Sequence, residues 1–330
     1  MPVATADAAS TAPSAAAAAA AVHAATTPPL QPFSTHQPTG PSSPLVHSFF
    51  DKSTSTWTYL VVDPSSGHAA IIDSVLEYDC ASSTVGMESV KGLLAFVREK
   101  GYQIEKIMET HVHADHLTGA HVLKQLLGRN TPVCIGSKVQ EVQNRFAPVY
   151  GFQNKDFTEV FDIFLHDDET FKLGQLEGRS LSLPGHTPDS MGIMIGDSLF
   201  AGDSIFLPDV GTARVDFPGG SARALYASIQ RILHLGENVR VFSGHDYPPN
   251  RDPRCVSTVS EQSHSNKHVG VGSTLESFTT FREARDATLG SPKLLHASLQ
   301  VNLRGGRMPP EDEEGRRWIR LPLTGEAVGV

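Results

Sequence analysis

Seven consecutive residues constrain this chain more than any others: Thr110-His111-Val112-His113-Ala114-Asp115-His116. Three imidazoles and a carboxylate packed this closely form a donor set for a transition-metal ion, and the mixture suits zinc, iron or manganese. Residues 104 to 108 before the cluster read as a strand, and Leu117 to Leu127 after it carries apolar residues at helical spacing. The cluster is therefore predicted on a strand-to-helix turn. A continuous strand would send alternate side chains to opposite faces, whereas a turn lets His111, His113, Asp115 and His116 converge.

Three later stretches repeat one layout, a β-rich run followed by glycine and then a ligand type. They are Leu181-Ser-Leu-Pro-Gly185-His186-Thr187, Leu199-Phe-Ala-Gly202-Asp203 and Val239-Arg-Val-Phe-Ser-Gly244-His245-Asp246. Any one of these alone reads as an ordinary turn. Together, and in this order after the first cluster, they supply the remaining ligands of a metal centre.

This ordered set resembles the ligand motifs of the metallo-β-lactamase superfamily. The resemblance implies an α/β (α+β) fold, the αββα sandwich of two mixed sheets with outer helices, and a metal at the sheet edge where the loops meet. It covers residues 46 to about 250. The periodicity agrees with it. Strands are predicted at 46–50, 57–62, 69–73, 133–135, 160–164, 180–183, 191–195 and 239–242, with helices at 87–100 and 222–235. Residues 251–330 are expected to form a helical and loop extension packed on the same domain.

The first 45 residues hold seven consecutive alanines, Ala15 to Ala21, much Pro, Ser and Thr, and no Lys or Arg. Such a segment has little large apolar surface to offset its ordering entropy, so disorder is expected over 1–45. It has neither the arginines of a mitochondrial presequence nor the leucine-rich core of a secretory signal, and it is too weakly apolar to span a membrane. A cytoplasmic location is expected ahead of the mitochondrial matrix. The formal charge of −9 and a pI near 5.9 argue against a nucleic-acid partner. Cys80, Cys134 and Cys255 are widely spaced and form no CxxC pair, so neither a disulfide framework nor a zinc ribbon is indicated.

Fold alone names no reaction. The stretch from Asp203 through Arg214-Val-Asp216-Phe217 resembles the corresponding segment of persulfide dioxygenases, also called sulfur dioxygenases, as do His245-Asp246-Tyr247 and the tail motifs around Glu261, Asn266, Asn302 and Gly305. The loop Ile72-Asp73-Ser-Val-Leu-Glu77-Tyr78-Asp79 is similar to one in their longer bacterial-type members. Glyoxalase II shares the fold and all the ligands, but its glutathione site uses a lysine soon after the metal aspartate, and residues 204 to 213 here contain no basic residue.

The resemblance implies one iron(II) per chain held by His111, His186 and Asp203. It also implies oxidation of glutathione persulfide by dioxygen to sulfite and glutathione. Two imidazoles and one carboxylate on one face leave open coordination positions for a sulfur and dioxygen together. His113, Asp115, His116 and His245 would orient those ligands or would complete a two-zinc hydrolase, an alternative the residues leave open. For substrate contacts, the expectations are Arg214 as a fork for a carboxylate, with a salt bridge to Asp216 as its competing role, together with Tyr247, Thr187 and Arg304. No membrane contact is expected; the resembled family commonly forms homodimers, and the residues leave the oligomeric state open. Cys134 reads as a core residue, and His264 with His268 as a pair one turn apart on a surface helix.

Overall fold

Strand Thr56–Val62 is buried along its whole length because successive side chains enter two different cores. Trp57, Tyr59 and Val61 face one cluster, and Leu60 with Val62 face another. A strand covered on both faces reads as a continuous apolar run instead of an alternating one. In the computed structural model, which describes residues 27–248, 250–325 and 328, this strand sits inside a seven-stranded sheet. The sheet order is Ser34–His36, Leu45–Asp51, Thr56–Val62, His68–Ile72, Gln103–Met108, Val133–Gly136 and Ile163–Leu165. The first four pair antiparallel and the last three join in parallel, so the sheet is mixed.

A second, six-stranded sheet runs Thr170–Leu173, Leu176–Ser182, Met191–Ile195, Ser198–Phe200, Arg240–Phe242 and Val256–Thr258. It is antiparallel except where Ser198–Phe200 meets Arg240–Phe242. The sheets face each other through Trp57, Tyr59, Ile72, Met108, Phe200 and Phe242. Burying side chains of this kind contributes roughly 1.5–3 kcal/mol each.

Among the described residues, seven α-helices cover the outer faces or extend the fold: α1 (Glu88–Lys100), α2 (Ala120–Leu126), α3 (Val139–Tyr150), α4 (Ala222–Leu233), α5 (Val259–Ser265), α6 (Leu275–Asp286) and α7 (Leu295–Asn302). Leu93 and Phe96 of α1 and Leu123 of α2 pack on the outer side of the first sheet. Leu225, Ile229 and Ile232 of α4 and Phe278 of α6 cover the second. This is the αββα sandwich.

Two expectations change. Residues 27–45 belong to the fold: Leu30 donates its N–H to Gly92 O of α1 at 2.9 Å, and Ser34–His36 pairs with the strand at Leu45–Asp51. The disorder expected over 1–45 therefore does not extend to them, because hydrogen bonds to an existing sheet edge and helix hold a segment whose own apolar content is low. Residues 1–26 lie outside the described residues. The helix after the histidine cluster starts at Ala120, since Leu117–Thr118 first forms a short ladder with Val75–Leu76.

Candidate metal centre

Strand Gln103–Met108 ends under the second sheet, and Glu109–His116 then turns across the sandwich edge with His111, His113 and His116 at most 2% exposed. Two distant side chains hold this loop in shape. Asp73, just past strand His68–Ile72, accepts from the N–H and hydroxyl of Thr110, both at 2.8 Å, and from His113 Nε2 at 3.1 Å. Asn302, closing α7, donates to the carbonyls of His113 and His116 at 2.8 and 2.7 Å and accepts Thr118 N–H at 2.9 Å. Asp189 takes Val112 N–H at 2.9 Å. Asp73 and Asn302 stand in the motifs that carry the resemblance, but their contacts span long sequence distances, and no local signal marked Asp189 or Glu109.

The other ligands arrive on turns that only small residues allow. Gly185 has φ +149°, and a Cβ there would lie 2.3 Å from Leu225 Cα of α4, so the turn presses on that helix and aims His186 inward. Gly202 has φ +50° and sits against Thr110, where a Cβ would meet Oγ1 at 2.6 Å. That close approach brings Asp203 beside the histidine loop.

One ligand atom from each of His111, His186 and Asp203 lies within 4.8 Å of the others, and the same holds for His113, Asp115 and His116. His245 Nε2 stands 3.3 Å from Asp115 Oδ2 and 3.5 Å from Asp203 Oδ1, next to both groups. The outward nitrogen of each imidazole determines its tautomer. A carbonyl can only accept, so His186 Nδ1 donates to Arg214 O at 2.8 Å and His245 Nδ1 to Ser55 O at 3.1 Å. Thr110 gives its hydroxyl proton to Asp73 and so accepts from His111 Nδ1 at 3.0 Å. His113 Nε2 faces Asp73 and, at 3.3 Å, Glu109.

The inward atoms His111 Nε2, His113 Nδ1, His116 Nε2 and Asp203 Oδ1 are buried without a hydrogen-bond partner. Buried polar atoms in folded proteins are nearly always satisfied. Two of these unsatisfied residues, His111 and Asp203, belong to the first group and two, His113 and His116, to the second; such atoms fit bound transition metal, and their imidazole and carboxylate chemistry suits iron(II) or zinc. Against their burial, Asp73 and Glu109 hold His113 well above the usual histidine range and Asp203 with Asp115 raises His245, whereas His111 and Asp115 hold the protonation states of ligands. Burial, together with His113 and His186, holds His111 well below the usual histidine range and hence neutral, as a ligand must be. Burial opposes charge on Asp115, but His245 and His116 overcome it and keep the carboxylate ionised.

The centre opens into a cavity of about 890 Å³ lined by His186, Asp203, Asp115 and His245 at its floor and by Phe206 and Tyr247. Tyr247, 51% exposed, stacks on His245 with ring centroids 5.8 Å apart at 12°, beside the Asp203 and Asp115 carboxylates. Arg214 also lines the cavity, yet its fork is already closed on Asp216, with Nε and Nη2 each 2.5 Å from a carboxylate oxygen, and Nη1 reaches Gly290 O at 2.9 Å.

Two substrate assignments are corrected. Thr187 is fully buried and bonded to Ser190 Oγ at 2.7 Å, so its hydroxyl braces the turn after His186 and does not line the cavity. Arg304 is buried behind α7, with Nε on Gln300 O at 2.8 Å and its guanidinium 5.0 Å from the Phe152 ring centroid, also away from the cavity. His264 and His268 do not share a helix either: α5 ends at Ser265, and His268 Nδ1 accepts Thr212 N–H at 3.0 Å.

Residues 53–245 match the sequence profile of the Metallo-beta-lactamase superfamily. The chain is 45% identical to the "Beta-lactamase hydrolase-like protein" of Xylella fastidiosa (strain 9a5c) over 86% of its own length, and it spans 65% of that relative. It is 41% identical to "Glyoxylase B2" of Dictyostelium discoideum, covering 84% of this chain and 97% of the relative. The mitochondrial "Persulfide dioxygenase ETHE1" of Mus musculus is 27% identical, over 81% and 90%. Among solved structures, ETHE1 from Myxococcus xanthus superposes with a TM-score of 0.64 at 28% identity, covering 79% of this chain and 99% of that one. No helix among the described residues is long and apolar enough to cross a membrane.

Proposed function

The chain belongs to the metallo-β-lactamase superfamily, and from that premise we propose that it is an iron(II)-dependent persulfide dioxygenase acting on glutathione persulfide. The observation that carries this reading is the contact between Arg214 O and His186 Nδ1. The segment Arg214-Val-Asp216-Phe217, which resembles that of the dioxygenases, is built into the metal centre through its backbone, and Phe217 packs 6.4 Å from the His186 ring. The 28% identity to a solved ETHE1 chain over most of the length supports it.

Iron(II) on His111, His186 and Asp203 would supply the oxygen and sulfur redox chemistry that no side chain here offers. The net reaction takes glutathione persulfide, dioxygen and water to glutathione, sulfite and two protons. The chain's own residues position the reactants and limit water. Phe206 and Tyr247 wall the cavity floor, and the Tyr247 hydroxyl would donate to a reactant held there. Asp73, Thr110, Ser55 and the Arg214 carbonyl hold the His111, His245 and His186 rings by their outward nitrogens.

A glyoxalase II-like two-zinc thioester hydrolase is the second reading. It is favoured by the further group His113, Asp115 and His116 beside His245, and by the name of the 41% identical relative. Parallel assays separate the two: dioxygen uptake with glutathione persulfide, and hydrolysis of S-lactoylglutathione. The dioxygenase reading expects uptake matched by sulfite and little thioester cleavage; thioester cleavage without uptake refutes it.

A further inference from the structure

One wall of the cavity over the metal centre is built from two chain segments whose backbones do not join. Residues 204–212 carry Phe206, and residues 245–254 carry His245 and Tyr247. Among the described residues, no backbone hydrogen bond runs between the two segments. The first closes on itself, with Phe206 N–H on Gly211 O at 2.9 Å. It hangs on Gln262 of α5 and on Asn266 just past that helix, whose side-chain amides donate to Phe206 O at 2.8 Å and Gly211 O at 3.1 Å. The second is pinned elsewhere, Gly244 N–H to Gly202 O at 2.9 Å and Asp246 N–H to Ser55 O at 3.2 Å.

Arg251 supplies the join. Its Nε and Nη2 donate to the two carboxylate oxygens of Asp209 at 2.7 and 2.9 Å, and its Nη1 and Nη2 to those of Asp246 at 2.6 and 2.9 Å. One planar guanidinium thus grips two carboxylates in forks at once, which a single ammonium cannot do. Asp246 is fully buried and stands between His245 and Tyr247 in the chain, whereas Asp209 lies in an exposed turn three residues after Phe206. Across the join, Phe206 stands edge-on to both facing rings, 6.2 Å from His245 at 87° and 6.1 Å from Tyr247 at 81°. The ligand turn itself is held without Arg251, since Gly202 O and Ser55 O take the donors of Gly244, His245 and Asp246.

We propose that Arg251 is a positioning residue: by clamping Asp209 to Asp246 it keeps Phe206 against His245 and Tyr247, and so limits the bulk of the sulfur group that reaches the metal. A slender sulfur is admitted, and a thiol branched at the carbon that bears the sulfur is turned away by the packed rings. From the functional reading the inference takes only an open metal position at the cavity floor; neither dioxygen chemistry nor the identity of the natural thiol enters it. Asp209, Arg251 and Asp246 stand behind the cavity lining, so substitutions in the clamp alter the wall without touching a metal ligand.

The test loads the full chain with cobalt(II) and titrates it with ethanethiol and with 2-methylpropane-2-thiol, following the thiolate-to-cobalt absorption. Wild type is expected to bind the slender thiol about tenfold more tightly than the branched one. Asp209→Ala unties the wall at an exposed residue and leaves Asp246 paired, so it should bring that ratio below about threefold with cobalt content unchanged. Arg251→Lys keeps the charge but lacks the fork and should behave as Asp209→Ala does. Glu177→Ala, which breaks an exposed ion pair with Lys172 away from the cavity, should keep the wild-type ratio. An Asp209→Ala or Arg251→Lys ratio within twofold of wild type, cobalt lost from Asp209→Ala, or failure of both thiols to bind wild type would each overturn the clamp. Dioxygen uptake by the iron-loaded chain is measured separately. Its absence alongside the expected thiol pattern would reject the dioxygenase chemistry while leaving the clamp standing.

Discussion

The Nδ1–H of His186 donates to the carbonyl oxygen of Arg214 at 2.8 Å, so Arg214 serves the metal centre through its backbone while its guanidinium is closed on Asp216. Removing that side chain leaves the backbone bond in place. Arg214→Ala is therefore expected to keep its full metal content, measured by plasma emission, and to lose less than about tenfold in kcat/KM. Metal loss in this variant would contradict the assignment.

Asp73 is the most connected of the buried carboxylates around the loop. It orders Thr110, fixes His113, and through Thr110 fixes His111. Burial opposes its charge, yet His113 and the Thr110 donors keep it ionised. Asp73→Asn removes the charge and reverses one donor-acceptor match. Metal affinity is expected to fall about 10–100-fold in a chelator competition, the size typical of lost ligand-orienting partners.

Gly185 offers a purely steric test. An alanine there combines a disfavoured φ with a 2.3 Å clash against the α4 backbone. Gly185→Ala is expected to cost about 2–4 kcal/mol in urea unfolding and to displace His186, lowering metal content as well. Unchanged stability would mean the turn and α4 separate easily.

His47 gives a pH signature outside the metal site. Its burial, aided by Lys100 and His36, lowers its pKa to about 4, while Thr35 Oγ1 and Tyr102 contact its two ring nitrogens. The unfolded chain, with a pKa near 6.5, binds more protons below that pH than the folded one does. Stability from a neutral His47 is thus intact above about pH 6.5 and is lost progressively down to about pH 4. Metal-free wild type should lose roughly 1–3 kcal/mol more than His47→Gln across this window when melting is followed against pH.

The local patterns were legible where chemistry and periodicity coincide. Seven consecutive residues mark the metal loop, three glycine turns mark the remaining ligands, and the β-rich run at 57–62 marks a strand, whose burial on both faces only the fold shows. Contacts between distant segments were not legible in the same way. The grip of Asn302 on the carbonyls of His113 and His116 joins residues nearly two hundred positions apart, and only the folded chain shows it. Thr187 and Arg304 were assigned to substrate because they stand in resembled motifs. Thr187 braces a turn and Arg304 stacks on Phe152, so in both a conspicuous polar residue is occupied internally. The order of residues 27–45 likewise comes from neighbours, the sheet edge and α1.

The most direct measurement is metal stoichiometry on protein purified without added metal, read together with the ratio of dioxygen consumed to sulfite formed from glutathione persulfide, for wild type and His186→Ala. The expected result is one iron per chain and one dioxygen per sulfite, with both metal and uptake lost in the variant. Two zinc ions per chain, with S-lactoylglutathione cleaved and no dioxygen consumed, would contradict it.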